Sequence, residues 1–465
     1  MLRTKAHHQL DMCHGSLADK ILLFALPLMA SSMLQLLFNA ADVIVVGQFA
    51  GQASLAAVGS TTSLINLLIA LFVGLSVGAN VVVARNLGGQ RPKIVSRAVH
   101  TAIFLALVSG VFLGVFGFIM AHQLLVWMSS PADVIDLSTI YLRIYFLGMP
   151  ATLAYNFGAA ILRAQGDTKR PLYYLIVAGI VNVILNLFTV LVLHMDVAGV
   201  ASATTISQYI SAGLILRCLS KEEGPLRLDL KKLKMDKVIL GHILQIGLPA
   251  GFQGIVFSLS NVLIQSSINS FGANAMAGSA SASQLENFVY TAMNSISQAA
   301  LSFAGQNIGA QRYDRIAKIM RTCALVVTVT GIVLGALVTL LSEPLLHLFI
   351  NEDTDPAAIA DVIHNGQIRI AIICLPYFLD GLMEVFASML RGMGSAIAPT
   401  LITVVGICGV RILWILTVFA VDHVLDILYL SYPVSWFLTA GTLFVCYLYV
   451  HKKLMRTVSA APAAA

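Results

Sequence analysis

Four acids stand inside long apolar runs of this 465-residue chain: Asp42, Glu286, Asp380 and Glu384. If such runs cross a bilayer, each carboxylate is expensive there and marks an ion or substrate path. Asp380 and Glu384 are four residues apart, so they share one helical face. At 1.5 Å rise per residue, Asp42 lies about 33 Å along its run from Lys20, in the outer leaflet. On the same scale Asp380 lies about 26 Å from the start of its run near 363, and Glu286 about 17 Å below its outer end. Asn182 and Asn186 repeat the four-residue spacing and face one way. A lone carboxylate among neutral oxygens has two uses. Burial favours its protonated form, so it can carry H⁺, or the oxygens together can hold a hard cation such as Na⁺. The sequence leaves both open. It also leaves open that Asp42 sits at the outer water interface, and that the other three acids pair with Arg369 or Arg411.

Enzyme chemistry has no foothold. The chain has no phosphate-binding GxxxxGK[ST] loop, HExxH or CxxC. The six cysteines (Cys13, Cys218, Cys323, Cys374, Cys408, Cys446) are scattered, mostly in apolar runs where a thiol behaves as a small hydrophobe. Neither a metal site nor a disulfide is expected. His7, His8 and His14 stand as isolated side chains in a polar start. No cofactor is expected beyond a coupling ion.

The elements that must position the acids are membrane helices. The chain is 58% hydrophobic and only 11% charged, with mean hydropathy +0.87, whereas soluble domains carry roughly 25% charged residues. Apolar runs of the length needed to span a bilayer fall near 17–45, 55–84, 96–121, 137–163, 171–194, 198–220, 239–268, 275–305, 316–342, 363–391, 397–421 and 427–451. Lipid leaves backbone amides no partner, so these runs must be helical. With the N-terminus inside, 25 of the 28 Lys and Arg fall on the inner side, including Arg163 and Arg391. The outer loops carry acids: Asp133, Asp136, Asp196, Glu352, Asp353, Asp355, Asp361, Asp422 and Asp426. That asymmetry predicts both termini in the cytoplasm, and it explains the basic excess without nucleic acid. The polar start lacks the features of a cleavable signal peptide.

The chain also repeats itself. A shift of 222 lays LPLMASSMLQLLFN (from Leu26) over LPAGFQGIVFSLSN (from Leu248), pairing Pro27 with Pro249. A shift of 221 lays ARNLGGQR over GQNIGAQR, and a shift of 228 lays ILRAQGDTKRP over MLRGMGSAIAP. A shift of 226 pairs Arg143 with Arg369. The matches fall on Pro, Asn, Gly and Arg, which apolar low complexity does not produce. The reading is an all-α integral membrane protein of twelve helices in two pseudo-symmetric six-helix lobes. Residues 1–16 form a cytoplasmic start, 17–220 the first lobe and 221–238 a basic linker with a short surface helix around DLKKLKMDK. Residues 239–451 form the second lobe and 452–465 a cytoplasmic tail. An even helix number per half makes the repeat parallel, an arrangement that in transporters brackets the substrate path.

On these residues the chain resembles the multidrug and toxic compound extrusion (MATE) family of the multidrug/oligosaccharidyl-lipid/polysaccharide exporter superfamily. The resemblance covers about residues 16–455. It rests on the Pro-bearing first helix ending in NAADVIVVGQFAG, ARNLGGQR with its copy GQNIGAQR, ILRAQGDTKRP, VNVILN, VAGVASATTISQ and MLRGMG. It implies a V of two bundles, with a cleft that opens to either side in turn. It also implies a coupling-ion site at Asp42, with Asn156, Asn182, Asn186 and Thr204 on the positions that supply amides and hydroxyls. Many members carry a carboxylate where this chain has Asn186. Asp380, ten residues before the LRG of MLRGMG, matches an acid of one branch. That branch also carries a glutamate in helix seven, where this chain has Gln253 and Phe257.

The expectation is therefore a monomeric secondary-active antiporter in a prokaryotic inner membrane, exchanging H⁺ or Na⁺ for amphipathic, cationic small molecules. Asp380, Glu384 and Glu286, with Gln253 and Phe257, would receive the cation, and Pro27 would serve as a hinge by deleting a backbone hydrogen bond. Aromatic and Met side chains such as Phe38, Met33, Met276, Phe288, Tyr290 and Tyr377 either add to an apolar pocket or meet lipid. One rival is a lipid or lipid-linked oligosaccharide flippase, which would want an arginine-rich cleft. Another is a non-transporting scaffold or receptor, which leaves the buried acids unexplained.

Overall fold

The computed structural model describes residues 10–128, 130–131, 134–349 and 356–460. Arg3, Lys5, His7, His8, Asp133, Glu352, Asp353, Asp355 and the last five residues of the tail lie outside them. The described residues form helices and turns, with no strand among them.

Twelve helical rods follow one another. α1 (Ala18–Val45) runs into a π turn, Val46–Ala50. α2 (Gln52–Gly88) and α3 (Pro92–Trp127) come next, then the pair α4 (Ile135–Leu147) and α5 (Met149–Gln165). α6 (Lys169–Leu187) carries a second π turn, Phe188–Val192, and α7 (Asp196–Lys221) closes the first half. The second half has α8 (Lys237–Asn269), α9 (Ala273–Gly309) and α10 (Tyr313–Leu340), followed by the short α11 (Ser342–His347). The tenth rod is α12 (Pro356–Cys374), a 3₁₀ turn Leu375–Tyr377 and α13 (Phe378–Gly392). The eleventh is α14 (Ile397–Thr403), a π turn Val404–Gly409, α15 (Val410–Leu416) and α16 (Val418–Val421). The last is α17 (Leu425–Ala460).

Nine of these rods are long and apolar enough to cross a membrane, and the α4–α5 pair makes a tenth. The other two, α7 and α9, are long enough at 26 and 37 residues. Their Ser, Thr, Asn and Gln (SATTISQ, SASASQLEN) lower their hydropathy, and both rods supply side chains to the sites below.

Several rods that read as continuous in the sequence are broken. α4 and α5 meet at 47° across Gly148, where Pro150 at the start of α5 has no N–H to continue the ladder. Pro376 interrupts the tenth rod in the same way. Pro27 sits inside α1, and Ser31 Oγ donates to the Pro27 carbonyl at 2.8 Å, a contact that itself favours bending.

The internal repeat extends to the backbone. Gln90 and Gln311 both adopt positive φ, 50° and 56°, which few non-glycine residues do. Each closes the same turn: Arg91 N–H donates to the Asn86 carbonyl at 3.0 Å, and Arg312 N–H to the Asn307 carbonyl at 2.9 Å. Gly166 and Gly394, at φ 96° and 92°, end α5 and α13 alike. The sequence matches therefore fall where the turn geometry dictates residue type, which is why they avoid Leu and Val.

Two compact units emerge. One comprises the described residues up to Met12 with Leu26–Gly251; the other comprises Cys13–Ala25 with the described residues from Phe252 on. The division expected at the 221–238 linker thus shifts to Gly251, and the first turns of α1 belong with the second unit. The reason is packing. In the first unit α2 and α8 touch backbone to backbone: a Cβ on Gly74 would lie 2.1 Å from the Gly251 nitrogen, and one on Gly247 2.6 Å from Leu75 Cα. In the second, Phe24 meets Phe303 edge-on at 5.8 Å, and Arg315 Nη2 donates to the Gly15 carbonyl at 3.0 Å.

The linker forms 3₁₀ turns at Gly224–Leu226 and Leu230–Lys232 rather than the surface helix expected around DLKKLKMDK. It is pinned to α3: Asp229 N–H donates to His100 Nε2, Asp236 N–H to Thr101 Oγ1, and Asp236 pairs with Arg97. The Ile239 N–H at the start of α8, and then Arg97, hold the Asp236 carboxyl below its usual range.

Candidate functional site

The first unit brings Asp42 to three of its four expected partners. Asp42 is 9% exposed. One carboxylate oxygen accepts from Asn186 Nδ2, the other from Thr204 Oγ1 at 3.3 Å. Asn186 Nδ2 also donates to Asn182 Oδ1 at 3.3 Å, and Asn182 Nδ2 to Thr204 Oγ1 at 3.3 Å. The three partners come from α6 and α7. Asn182 and Asn186 meet because they lie one turn apart. The Asn186 Oδ1 is buried and accepts no hydrogen bond, so an oxygen acceptor beside Asp42 stands unused. Asn156 is not brought in: it lies on α5, past the Gly148 break, and shares no hydrogen bond with the cluster.

Other features of this site were not read from the sequence. π turns follow both Asp42 and Asn186 within four residues, and the two turns touch. Such turns gather at functional sites because the extra residue redirects side chains that an α-helix would space evenly. Tyr141 and Tyr145 of α4 lie within electrostatic range of Asp42, their rings stacked at 6.0 Å. Their four-residue spacing was the available signal.

The second unit encloses a cavity of about 380 Å³, lined by Phe257, Asp380, Glu384, Tyr377, Arg411 and Trp436 among others. Its charges divide into engaged and open groups. Glu286 is engaged: its two oxygens accept from Arg369 Nε at 2.7 Å and Nη2 at 2.8 Å, while Arg369 Nη1 donates to Ser279 Oγ at 2.6 Å. The Arg369 guanidinium also faces the rings of Tyr429 and Tyr432 at 5.6 and 5.9 Å. Asp380 is 8% exposed and Glu384 half-buried. Both border the cavity, and among the described residues neither has a hydrogen bond or ion pair, although Arg411 lies within electrostatic range of Asp380 and Arg391 of Glu384.

Arg411 stacks on Tyr432 at 4.1 Å and donates to Ser435 Oγ at 3.1 Å; Asp380 lies within electrostatic range, but no carboxylate among the described residues forms an ion pair with it. A third π turn, Val404–Gly409, immediately precedes α15, which carries it. Ion pairing with Arg369 or Arg411 therefore holds for Glu286 alone. Phe257 lines the cavity as expected. Gln253 does not: its Oε1 accepts from Arg391 Nη2, a residue counted among the inner-loop bases but only 7% exposed. No group of three or more His, Cys, Asp and Glu suited to a metal ion occurs among the described residues.

Chemically, the first unit offers a single buried carboxylate among amide and hydroxyl oxygens. The second offers two unengaged carboxylates on one helical face in an aromatic cavity.

A family model described as MatE matches the chain twice, over residues 27–188 and 249–417. The matches start at Pro27 and Pro249, one of the repeat pairs. The probable multidrug resistance protein YoeA of Bacillus subtilis (strain 168) is 30% identical over 442 residues, covering 93% of each chain. YpnP, a probable multidrug resistance protein of the same organism, is 26% identical and covers 83% of this chain and 84% of its own. An outward-facing multidrug resistance MATE family transporter of the MOP superfamily has the same fold, with TM-score 0.87 at 21% identity over 96% of this chain and 98% of its own. Both halves answer to one family model, and a relative matches along nearly its whole length: the chain belongs to the MatE family of all-helical membrane transporters.

Proposed function

We propose that the protein is a cation-coupled efflux antiporter that exchanges H⁺ or Na⁺ for amphipathic organic cations across a prokaryotic plasma membrane. It acts as a monomer with both termini in the cytoplasm. The observation that carries the substrate class is the pair Asp380 and Glu384. Two carboxylates without a hydrogen bond or ion pair among the described residues, beside Tyr377, Phe257 and Trp436, suit a cation with an apolar body, since aromatic faces and carboxylates both attract positive charge. The curated relatives named for multidrug resistance agree with this reading.

Asp42 is the coupling group. Its carboxylate, the unused Asn186 Oδ1 and Thr204 Oγ1 supply the neutral and charged oxygens that a proton or Na⁺ requires. Pro27, one residue beyond the boundary at which α1 passes from one unit to the other, is the hinge. A second reading, lipid flipping, draws on Arg411, a stacked guanidinium that faces the cavity with no carboxylate bound to it.

The test is efflux of a fluorescent organic cation from proteoliposomes under an H⁺ gradient, a Na⁺ gradient or neither, with Asp42→Asn in parallel. Efflux under one gradient, lost in Asp42→Asn protein that still folds, is the expected result and names the ion. Failure of folded, oriented protein under both gradients transfers the assignment to the flippase. Undiminished efflux by the Asp42→Asn variant removes Asp42 from the mechanism.

A further inference from the structure

Each unit carries a basic groove where a polar segment leads into a proline-bearing or glycine-rich helix, and the repeat makes the two grooves counterparts. In the first unit the groove, of about 420 Å³, is lined by Ser96, Arg97, His100, Lys232, Lys234, Met235 and Asp236. Part of its positive charge is met from within the chain: the Asp236 carboxylate pairs with Arg97, Lys232 pairs with Asp229 at 3.4 Å, and the Asp236 N–H donates to Thr101 Oγ1 at 3.1 Å. In the second unit the groove, of about 490 Å³, is lined by Gly15, Leu17, Ala18, Arg315, Lys318, Arg321 and Thr322.

The 221-residue shift carries Arg97 to Lys318, His100 to Arg321 and Thr101 to Thr322. The 222-residue shift carries Asp236 to His14. The α3 bases are thus retained or strengthened in α10 where the carboxylate is replaced, while Leu10 and Met12 stand at the positions of the linker's Lys232 and Lys234. Among the described residues no acid lines this groove, and Arg315, Lys318 and Arg321 take part in no ion pair there. Arg315 is 9% exposed, and its Nε is buried without a hydrogen-bond partner. An arginine that buried ordinarily has its donors satisfied.

Below the groove the same helix face turns apolar. Leu325, Val329 and Ile332 follow Arg321 at four, eight and eleven residues, one stripe of α10. They are 66%, 52% and 48% exposed. A ligand reaching from the bases down this stripe needs an anionic head and a hydrocarbon tail.

We propose that the groove formed by Gly15–Ala18 and the first turns of α10 is a binding site for the phosphodiester headgroup of an anionic phospholipid, whose acyl chain lies along Leu325, Val329 and Ile332. The lipid supplies from outside the negative charge that Asp236 supplies in the other unit. Three bases without an acid exclude the cationic end of a zwitterionic headgroup, so the site selects phosphatidylglycerol over phosphatidylcholine. This assignment stands apart from the transport cycle and from the identity of its cargo.

Native mass spectrometry of the full chain in detergent, titrated with phosphatidylglycerol, phosphatidylcholine or inorganic phosphate, tests it. The wild type retains phosphatidylglycerol about tenfold better than phosphatidylcholine, in keeping with the attraction each surface base exerts on anionic lipid. K318Q/R321Q loses that preference. His14→Asp keeps Arg315, Lys318 and Arg321 but installs a carboxylate at the position of Asp236, and it too lowers phosphatidylglycerol retention. Arg97→Gln, in the groove whose arginine is already paired with Asp236, leaves it unchanged. Lys318 and Arg321 are exposed, so the double variant folds, and unaltered thermal stability is the control. Equal retention of the two lipids, or wild-type retention by K318Q/R321Q, overturns the proposal. Displacement of the lipid by an equal concentration of inorganic phosphate overturns the lipid assignment in favour of a free anion.

Discussion

Glu286 and Asp380 are both buried acids of the second unit, yet their surroundings give them opposite tasks. Glu286 is tied to Arg369 by two hydrogen bonds, with both side chains nearly sealed from solvent at 8% and 7% exposure. Removing one partner of such a pair leaves an uncompensated buried charge and costs about 3–5 kcal/mol. Glu286→Gln should therefore lower the thermal unfolding temperature in detergent markedly, and wild-type stability would place the pair outside the load of the fold. Asp380 has no hydrogen bond or ion pair among the described residues to abandon, so Asp380→Asn should leave that temperature nearly unchanged. In liposomes the same variant should weaken efflux of cations more than of neutral compounds, and equal loss for both would argue against a cation-receiving role. The acids themselves were legible from sequence, because charge is conspicuous in an apolar run. Their partners were not: Glu286 and Arg369 stand 83 residues apart, and no local pattern told that pair from Asp380 with Arg411. Asn156 shows the converse case, a residue placed by resemblance that shares no hydrogen bond with the cluster among the described residues.

At the scale of the helix, apolar length located the rods well, because lipid leaves the backbone no alternative. Their interruptions were harder to read. Pro150 and Pro376 gave a local signal, whereas the three π turns close to Asp42, Asn186 and Arg411 leave no mark in composition. The unit boundary was hidden for a related reason. The basic linker looks like a hinge, but a close backbone contact of the first unit comes after it, where Gly74 and Gly78 of α2 meet Gly247 and Gly251 of α8. Membrane helices associate through small residues because close backbone approach, rather than the hydrophobic effect, drives their packing. A methyl group on Gly74 has no room against the Gly251 nitrogen at 2.1 Å. Gly74→Ala should cost on the order of 1–3 kcal/mol by overpacking, read as a lowered unfolding temperature. Gly213→Ala is the control: a Cβ there meets nothing within 4 Å, and alanine is the better helix former by about 1 kcal/mol. Equal destabilisation by the two substitutions would remove the glycine contact from the account of how α8 is held.

For the whole molecule, duplication and charge asymmetry carry most of what the sequence could say. The repeat was visible because turn geometry restricts residue choice at Gln90 and Gln311 and at Gly166 and Gly394. The family model finds the same two halves. Yet the halves have diverged in their chemistry. The first keeps a lone acid within a hydrogen-bonded network; the second has an open acidic pair and a stacked arginine, and the repeat alone assigns no such difference. Orientation rests on the bases. They gather on the side of the 221–238 linker, and cytoplasmic loops retain Lys and Arg because those charges resist translocation. A single cysteine at Lys231, in the linker, and another at Asp353, in the acidic connection between the ninth and tenth rods, should therefore label from opposite faces in intact cells. The first should react only after permeabilisation and the second with an impermeant maleimide from outside. The proposed direction of transport depends on this sidedness, since Asp42 is placed in the outer leaflet only if the chain starts inside. Labelling of both cysteines from one side would break the even-helix topology, and the coupling scheme built on it would fall with it.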